Sequence, residues 1–170
     1  LGTTSIQLAK AFGSTVIATD SPTDRCNVCS DLGADRVVDY KEEDFVQVAR
    51  DEFAGAQVIL DIVGGPYVER NMKAASHDAH IVQLAFALGS KVEINLMPIM
   101  LKRLLYTGST LRSRSDTYKS AIAQQLLEKV WPLFTKQQLK PVVTAELPFE
   151  RASEAHTLME RAAHVGKVIL

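Results

Sequence analysis

Leu1-Gly-Thr-Thr-Ser-Ile-Gln-Leu-Ala-Lys-Ala-Phe-Gly-Ser-Thr-Val-Ile-Ala-Thr-Asp20 is the stretch that decides the fold. Gly2 opens a helix whose apolar positions Ile6, Leu8, Ala9 and Phe12 fall close to helical periodicity. Gly13 closes it, where a left-handed conformation costs glycine least. A short extended run, Thr15 to Thr19, follows and ends in Asp20. Glycine, helix, strand and acid in that order form the second half of a mononucleotide-binding βαβ unit. In such a unit a diphosphate sits over the helix N-terminus and the acid hydrogen-bonds a ribose hydroxyl. The full Gly-x-Gly-x-x-Gly fingerprint stands after a strand. Here Gly2 alone remains, no strand precedes it, and the chain starts with Leu. The expectation is a fragment of a longer protein with the first strand truncated.

Outward from that stretch, strands are expected at 36–39, 58–63, 80–86, 104–111, 141–147 and 167–170, with a short extended piece at 92–96. Helices are expected at 22–32, 41–53, 66–75, 97–103, 116–134 and 149–161. Ser21 reads as an N-cap with Pro22 in the first helical position. Glu42, Glu43 and Asp44 favour the N-terminal end of their helix. Gly108 marks a bulge or a close backbone contact, and Pro132 distorts the last turn of the longest helix. The alternation runs from end to end without linker or repeat. That predicts an α/β fold, a doubly wound, mostly parallel sheet, as one domain over residues 1–170.

The 170 residues carry 46% hydrophobic and 23% charged side chains, the balance of an ordinary globular domain. A formal net charge of −1 gives no general attraction to nucleic acid or to an anionic membrane. No apolar run approaches the roughly 20 residues of a membrane span. Neither a signal peptide nor a disulfide framework is visible, so a cytoplasmic location is expected.

With these elements placed, five segments carry a family resemblance: Leu1 to Lys10; Asp31-Leu-Gly-Ala-Asp35 with Asp39-Tyr-Lys-Glu-Glu-Asp-Phe45; Val58 to Gly65; Lys102-Arg103 leading to Thr107-Gly-Ser-Thr-Leu-Arg112; and His164-Val-Gly-Lys-Val-Ile169. In this order they resemble the cofactor-binding, Rossmann-type domain of zinc-independent quinone oxidoreductases, the zeta-crystallin-like members of the medium-chain dehydrogenase/reductase superfamily. The Gly-Ser-Thr-Leu-Arg stretch is similar to the p53-inducible subgroup. The resemblance implies NAD(P)H as hydride donor to quinones or related electrophilic carbonyls, and an N-terminal catalytic domain absent from this chain. Because substrate-contacting residues would lie there, no catalytic residue is assigned.

By the same resemblance Gly2 lies beside the cofactor diphosphate, although packing between helix and strand would also use a glycine. Asp20 and Ser21 end the second strand at the adenosine ribose, where an acid binds the ribose hydroxyls and disfavours a 2′-phosphate. Arg25 falls where relatives often place a base that contacts that phosphate, and Tyr40 matches a tyrosine near the adenosine. NADP(H) is thus slightly favoured over NAD(H), with Asp20 pulling the other way. Val63-Gly64 and Leu84-Ala85-Phe86 are expected to line the nicotinamide end with backbone groups. Ordinary strand-to-helix turns or solvated side chains are the plainer reading of each.

Cys26-Asn-Val-Cys29 stands without a second pair and reads as packing, and the four histidines show no zinc-ligand spacing, so no metal is expected. Arg112 and Arg114 fit a solvated strand end as well as an anion contact. The strand 104–111 is expected to pair with its twin in a homodimer, which would cover an apolar edge. The alternatives are an enoyl reductase of the same superfamily and a non-catalytic module that binds dinucleotide or merely dimerises. An S-adenosylmethionine-dependent transferase would also use an acid after the second strand, but the segments continue in family order to the C-terminus.

Overall fold

A computed structural model describes residues 1–161 and 164–170. They form two compact units, one built from Leu1–Lys41 with Ala121–Leu170, the other from Glu42–Ser120. Every strand pairing is parallel. The expected α/β class with parallel strands is therefore what the chain adopts. Among the described residues the pairings form three sheets, of two, three and two strands.

In the first unit, α1 (Gly2–Ala11) leads into β1 (Ile17–Asp20), then α2 (Thr23–Asp31) and β2 (Arg36–Asp39). β1 and β2 pair from Ile17 opposite Arg36 to Asp20 opposite Asp39. Ile6 of α1, Cys29 of α2 and Ala34 form a small core, against which Val16, Ala18 and Val37 pack. Gln7 of α1 is 8% exposed and clamps a distant segment with its amide. It donates to the Lys140 carbonyl at 3.1 Å and accepts from the Lys140 N–H at 3.0 Å.

The C-terminal part of this unit holds a π-helical turn (Leu126–Val130), α7 (Trp131–Thr135), β6 (Val143–Glu146), α8 (Ala152–Glu160) and β7 (Lys167–Ile169). The helix expected over 116–134 forms as one helical run, α6 (Asp116–Gln125), the π-helical turn and α7, with the distortion starting at Leu126. Pro132 has no N–H to give the carbonyl four residues back, so the ladder is interrupted there.

The second unit contains α3 (Phe45–Phe53), β3 (Ala56–Asp61), α4 (Tyr67–Ala74), β4 (Ala75–Gln83), α5 (Met97–Lys102) and β5 (Leu105–Gly108). β4 lies between β3 and β5. In register, Ile59, Ile81 and Tyr106 face one side, where Val68 and Met72 of α4 and Leu104 complete the core. The partners Val58, His80 and Leu105 face the other side and are exposed. α4 is capped at its C-terminus by Lys102, whose ammonium donates to the carbonyls of Met72, Lys73 and Ala75 at 3.0, 3.0 and 2.7 Å. A cation there complements the helix dipole.

Several expected boundaries move. Residues 41–44 form a turn instead of helix, because the Asp44 carboxylate accepts the Val46 N–H at 3.0 Å and caps α3. Ser21 is not an N-cap: Pro22 holds that position and α2 starts at Thr23, after a cis Ser21–Pro22 peptide. Residues 92–96 form no strand. The strand expected at 104–111 is confined to β5, and its pairing with β4 runs through Gly108 without a bulge. A Cβ at Gly108 would meet only the Gln83 carbonyl, at an ordinary 3.6 Å.

Candidate functional site

The sequence-predicted residues divide between the two units. The first unit holds Gly2, Asp20, Ser21, Arg25 and Tyr40; the second holds Val63, Gly64, Leu84, Ala85 and Phe86.

Gly2 begins α1, and the Leu1 carbonyl accepts the N–H groups of Thr4 and Ser5 at 3.1 and 3.0 Å. A Cβ built on Gly2 meets no atom within 4 Å. Packing among the described residues therefore does not demand glycine here.

At the carboxyl end of β1 the Asp20 carboxylate accepts the Ser21 N–H at 2.8 Å and forms an ion pair with the Arg25 Nε at 3.1 Å. Asp20 and Arg25 side chains are 22% and 36% exposed, so each still reaches solvent. The Asp20 carbonyl receives the Tyr40 N–H at 3.3 Å and the Cys26 thiol at 3.4 Å. Asp20, Ser21, Arg25 and Tyr40 are thus gathered at one edge of the β1–β2 sheet, with Ser21 buried and Tyr40 half exposed. The two cysteines lie beneath this edge. Burial pushes both thiols up, Cys29 to about 11, and nearby Asp39 and Asp20 add to the effect at Cys26. Thiols held protonated in this way are poor nucleophiles and poor metal ligands. Among the described residues no three His, Cys, Asp or Glu side chains are grouped to hold a metal ion.

In the second unit the turns after β3 and β4 lie against each other. The Leu84, Ala87 and Leu88 N–H groups donate to the carbonyls of Asp61, Ile62 and Val63 at 2.8, 3.2 and 2.8 Å, and the Gly65 N–H donates to the Gly89 carbonyl at 2.9 Å. Gly64 has φ +65°, and a Cβ on it would stand 2.6 Å from the Phe86 ring and 2.9 Å from the Gly89 carbonyl oxygen. Only glycine allows that approach.

Sequence reasoning missed the side chains that hold these turns. Asp61, 3% exposed at the end of β3, accepts the N–H groups of Val63 and Gly64 at 2.6 and 3.0 Å on one oxygen, and the Asn71 amide at 2.9 Å on the other. The amide nitrogen of Gln83, 5% exposed, donates to the Asp61 carbonyl at 3.2 Å and the Ala85 carbonyl at 2.5 Å. Its oxygen accepts the Tyr106 hydroxyl at 2.5 Å. The signal was present: Asp61 is the one acid inside the apolar run Val58 to Val63, where a charge needs partners. The N–H groups of Val63 and Gly64 are thereby used within the protein.

The model of one family, described as zinc-binding dehydrogenase, matches residues 1–127. Among curated relatives, the quinone oxidoreductase of Mus musculus is 26% identical over 178 residues, covering 100% of this chain and 51% of that protein. L-threonine 3-dehydrogenase of Symbiobacterium thermophilum is 27% identical over 175 residues, covering 100% of this chain and 48% of that protein. Among solved structures, the quinone oxidoreductase of Thermus thermophilus, described together with its NADPH complex, has a TM-score of 0.84 and 26% identity, covering 100% of this chain and 54% of that one. An NAD-dependent alcohol dehydrogenase has a TM-score of 0.78 and 32% identity, covering 98% of this chain and 46% of that one. The chain spans about half the length of the curated relatives it matches.

Proposed function

The chain belongs to the zinc-binding dehydrogenase family, and from that premise we propose that it is the dinucleotide-binding domain, residues 1–170, of an NAD(P)H-dependent quinone oxidoreductase. The observation that carries the reading is the whole-chain likeness to the Thermus quinone oxidoreductase, which is described with NADPH. Gly2 begins α1, whose N-terminal N–H groups suit a diphosphate. Arg25, partly exposed beside Asp20, is placed to turn its guanidinium towards a 2′-phosphate. Tyr40 offers a half-exposed ring at the same sheet edge. The paired turns carrying Val63, Gly64, Leu84, Ala85 and Phe86 end β3 and β4 at their carboxyl edge, where open α/β sheets bind ligands. They border the nicotinamide and keep water from it.

The bound nucleotide supplies a hydride to a quinone or related electrophilic carbonyl. The chain's own part is to bind, orient and exclude water; no catalytic side chain is assigned within it, and contacts to substrate come from an N-terminal domain outside it. NADP(H) is preferred slightly over NAD(H), the chemistry is zinc-independent, and the enzyme works in the cytoplasm. No helix among the described residues is long and apolar enough to cross a membrane. β5, the outer strand of its sheet with Leu105 half exposed, pairs with its twin in a homodimer.

The test is to follow reduced-nicotinamide absorbance with this chain, NADPH and a benzoquinone. Nucleotide binding without turnover is expected. Turnover by these residues alone would overturn the assignment of catalysis to another segment. Absence of nucleotide binding would favour the dimerising module. Reduction of an activated alkene in preference to quinone, by the protein carrying the N-terminal domain, would favour the enoyl reductase.

A further inference from the structure

Four buried or half-buried polar side chains on four different elements meet beneath the paired turns: Asp61 on β3, Asn71 on α4, Gln83 on β4 and Tyr106 on β5. A core at this position could be filled by Leu, Val or Met with equal or greater stability, since polar groups inside a protein do little better than break even. What the polar set adds is direction. Its outer ends finish on backbone atoms of the turns, at the N–H groups of Val63 and Gly64 and at the carbonyl of Ala85. A trans peptide is planar, so turning the Ala85 carbonyl inward onto Gln83 points the Phe86 N–H the opposite way, out of the network. The Gln83 amide can hold that carbonyl only if it is itself prevented from rotating. Its nitrogen is shared between the carbonyls of Asp61 and Ala85, and its oxygen is fixed by the Tyr106 hydroxyl.

We infer that Tyr106, which lies on the outer strand β5 and carries none of the cofactor contacts assigned above, is a positioning residue for the nicotinamide end of the site, acting through Gln83 on the 85–86 peptide. This rests on the reading of the paired turns as the nicotinamide side. Loss of the hydroxyl leaves the Tyr106 ring in the core but frees the Gln83 amide to turn, and the 85–86 peptide loses its fixed orientation. The groups at Asp20 and Arg25 belong to other elements and keep their arrangement.

The experiment measures dissociation constants of NADPH and of 2′,5′-ADP, which lacks the nicotinamide, for the wild-type chain, Tyr106→Phe, Gln83→Leu and the double variant. For Tyr106→Phe we expect NADPH to weaken about five- to tenfold, the worth of one buried hydrogen bond, with 2′,5′-ADP unchanged. The double variant should be no weaker than Gln83→Leu alone, because Tyr106 acts only through that amide. Equal weakening of both ligands, unchanged NADPH affinity, or additive losses in the double variant would each overturn the inference. Failure of the wild-type chain to bind either ligand would instead remove the functional reading itself, and the inference with it. Gln83→Leu serves as the second, independent variant should Tyr106→Phe fold poorly.

Discussion

Replacing Asp20 by Ala tests how the chain distinguishes its two nucleotides. In the free protein the Asp20 carboxylate holds the Arg25 Nε at 3.1 Å, with the two side chains 22% and 36% exposed. A pair so exposed is worth only about 0.5–1 kcal/mol after solvent screening. A charge-assisted hydrogen bond from the guanidinium to a 2′-phosphate is worth about 1.5–3 kcal/mol. On the proposed reading, Asp20→Ala removes a competitor for Arg25, a negative charge beside the phosphate, and an acceptor for the ribose hydroxyls of NADH. Sparing NADPH the about 0.5–1 kcal/mol of the ion pair, and weakening the NADH ribose contact by a comparable amount, should move the preference towards NADPH by about 1–2 kcal/mol, which is about 5- to 30-fold in the ratio of dissociation constants. Fluorescence titration of both nucleotides at fixed ionic strength reads the ratio directly. Arg25→Ala should move it the other way. An unchanged ratio in Asp20→Ala, or a shift towards NADH, would refute the assignment of Asp20 and Arg25 as opposed selectors.

The remaining predictions concern the fold around the site. The hydrogen bond from Arg70, then the Val46 N–H, hold the Asp44 carboxyl below its usual range. A depressed carboxyl contributes stability that is complete above its unfolded value, about 3.9, and is lost as pH falls through the lower folded value. Asp44→Ala should therefore cost about 1 kcal/mol at neutral pH, and the gap in urea midpoint should close in strong acid; a pH-independent gap would contradict it. Met72, 1% exposed in the core of the second unit, should cost about 2–5 kcal/mol when cut to Ala, measured by the same unfolding curves; a loss within experimental error would mean that this core is not packed as described. Cys26 and Cys29 should resist alkylation at neutral pH until urea is added, as their burial and raised thiol values require. Rapid labelling of the native chain, read by mass spectrometry, would place them at the surface.

The parts of this fold that local pattern controls could be read from the chain. Arg36 to Asp39 alternates with glycine-closed helices and is the strand expected, and Gly13 and Gly33 follow their helices with φ +81° and +100°. The misplaced boundaries have local causes that periodicity does not register. Asp44 caps its helix rather than extending it. The site shows the same division. Asp20, Ser21, Arg25 and Tyr40 are close in sequence or on neighbouring paired strands, so they could be named together. Asn71, Gln83 and Tyr106 are separated by 12 and 23 residues, counted from their numbers, and meet only once β3, β4 and β5 are in register. A buried acid in an apolar strand announces that partners exist but not which ones. The division of the strands into three sheets likewise depends on which edges find partners, and no local pattern states that.

Whether this chain binds a nicotinamide dinucleotide is read by isothermal titration of NADPH and NADH into the 170-residue protein. Saturable binding of one nucleotide per chain is expected, with NADPH the tighter ligand. Heats that never saturate for either nucleotide, while the chain remains folded by circular dichroism, would contradict it.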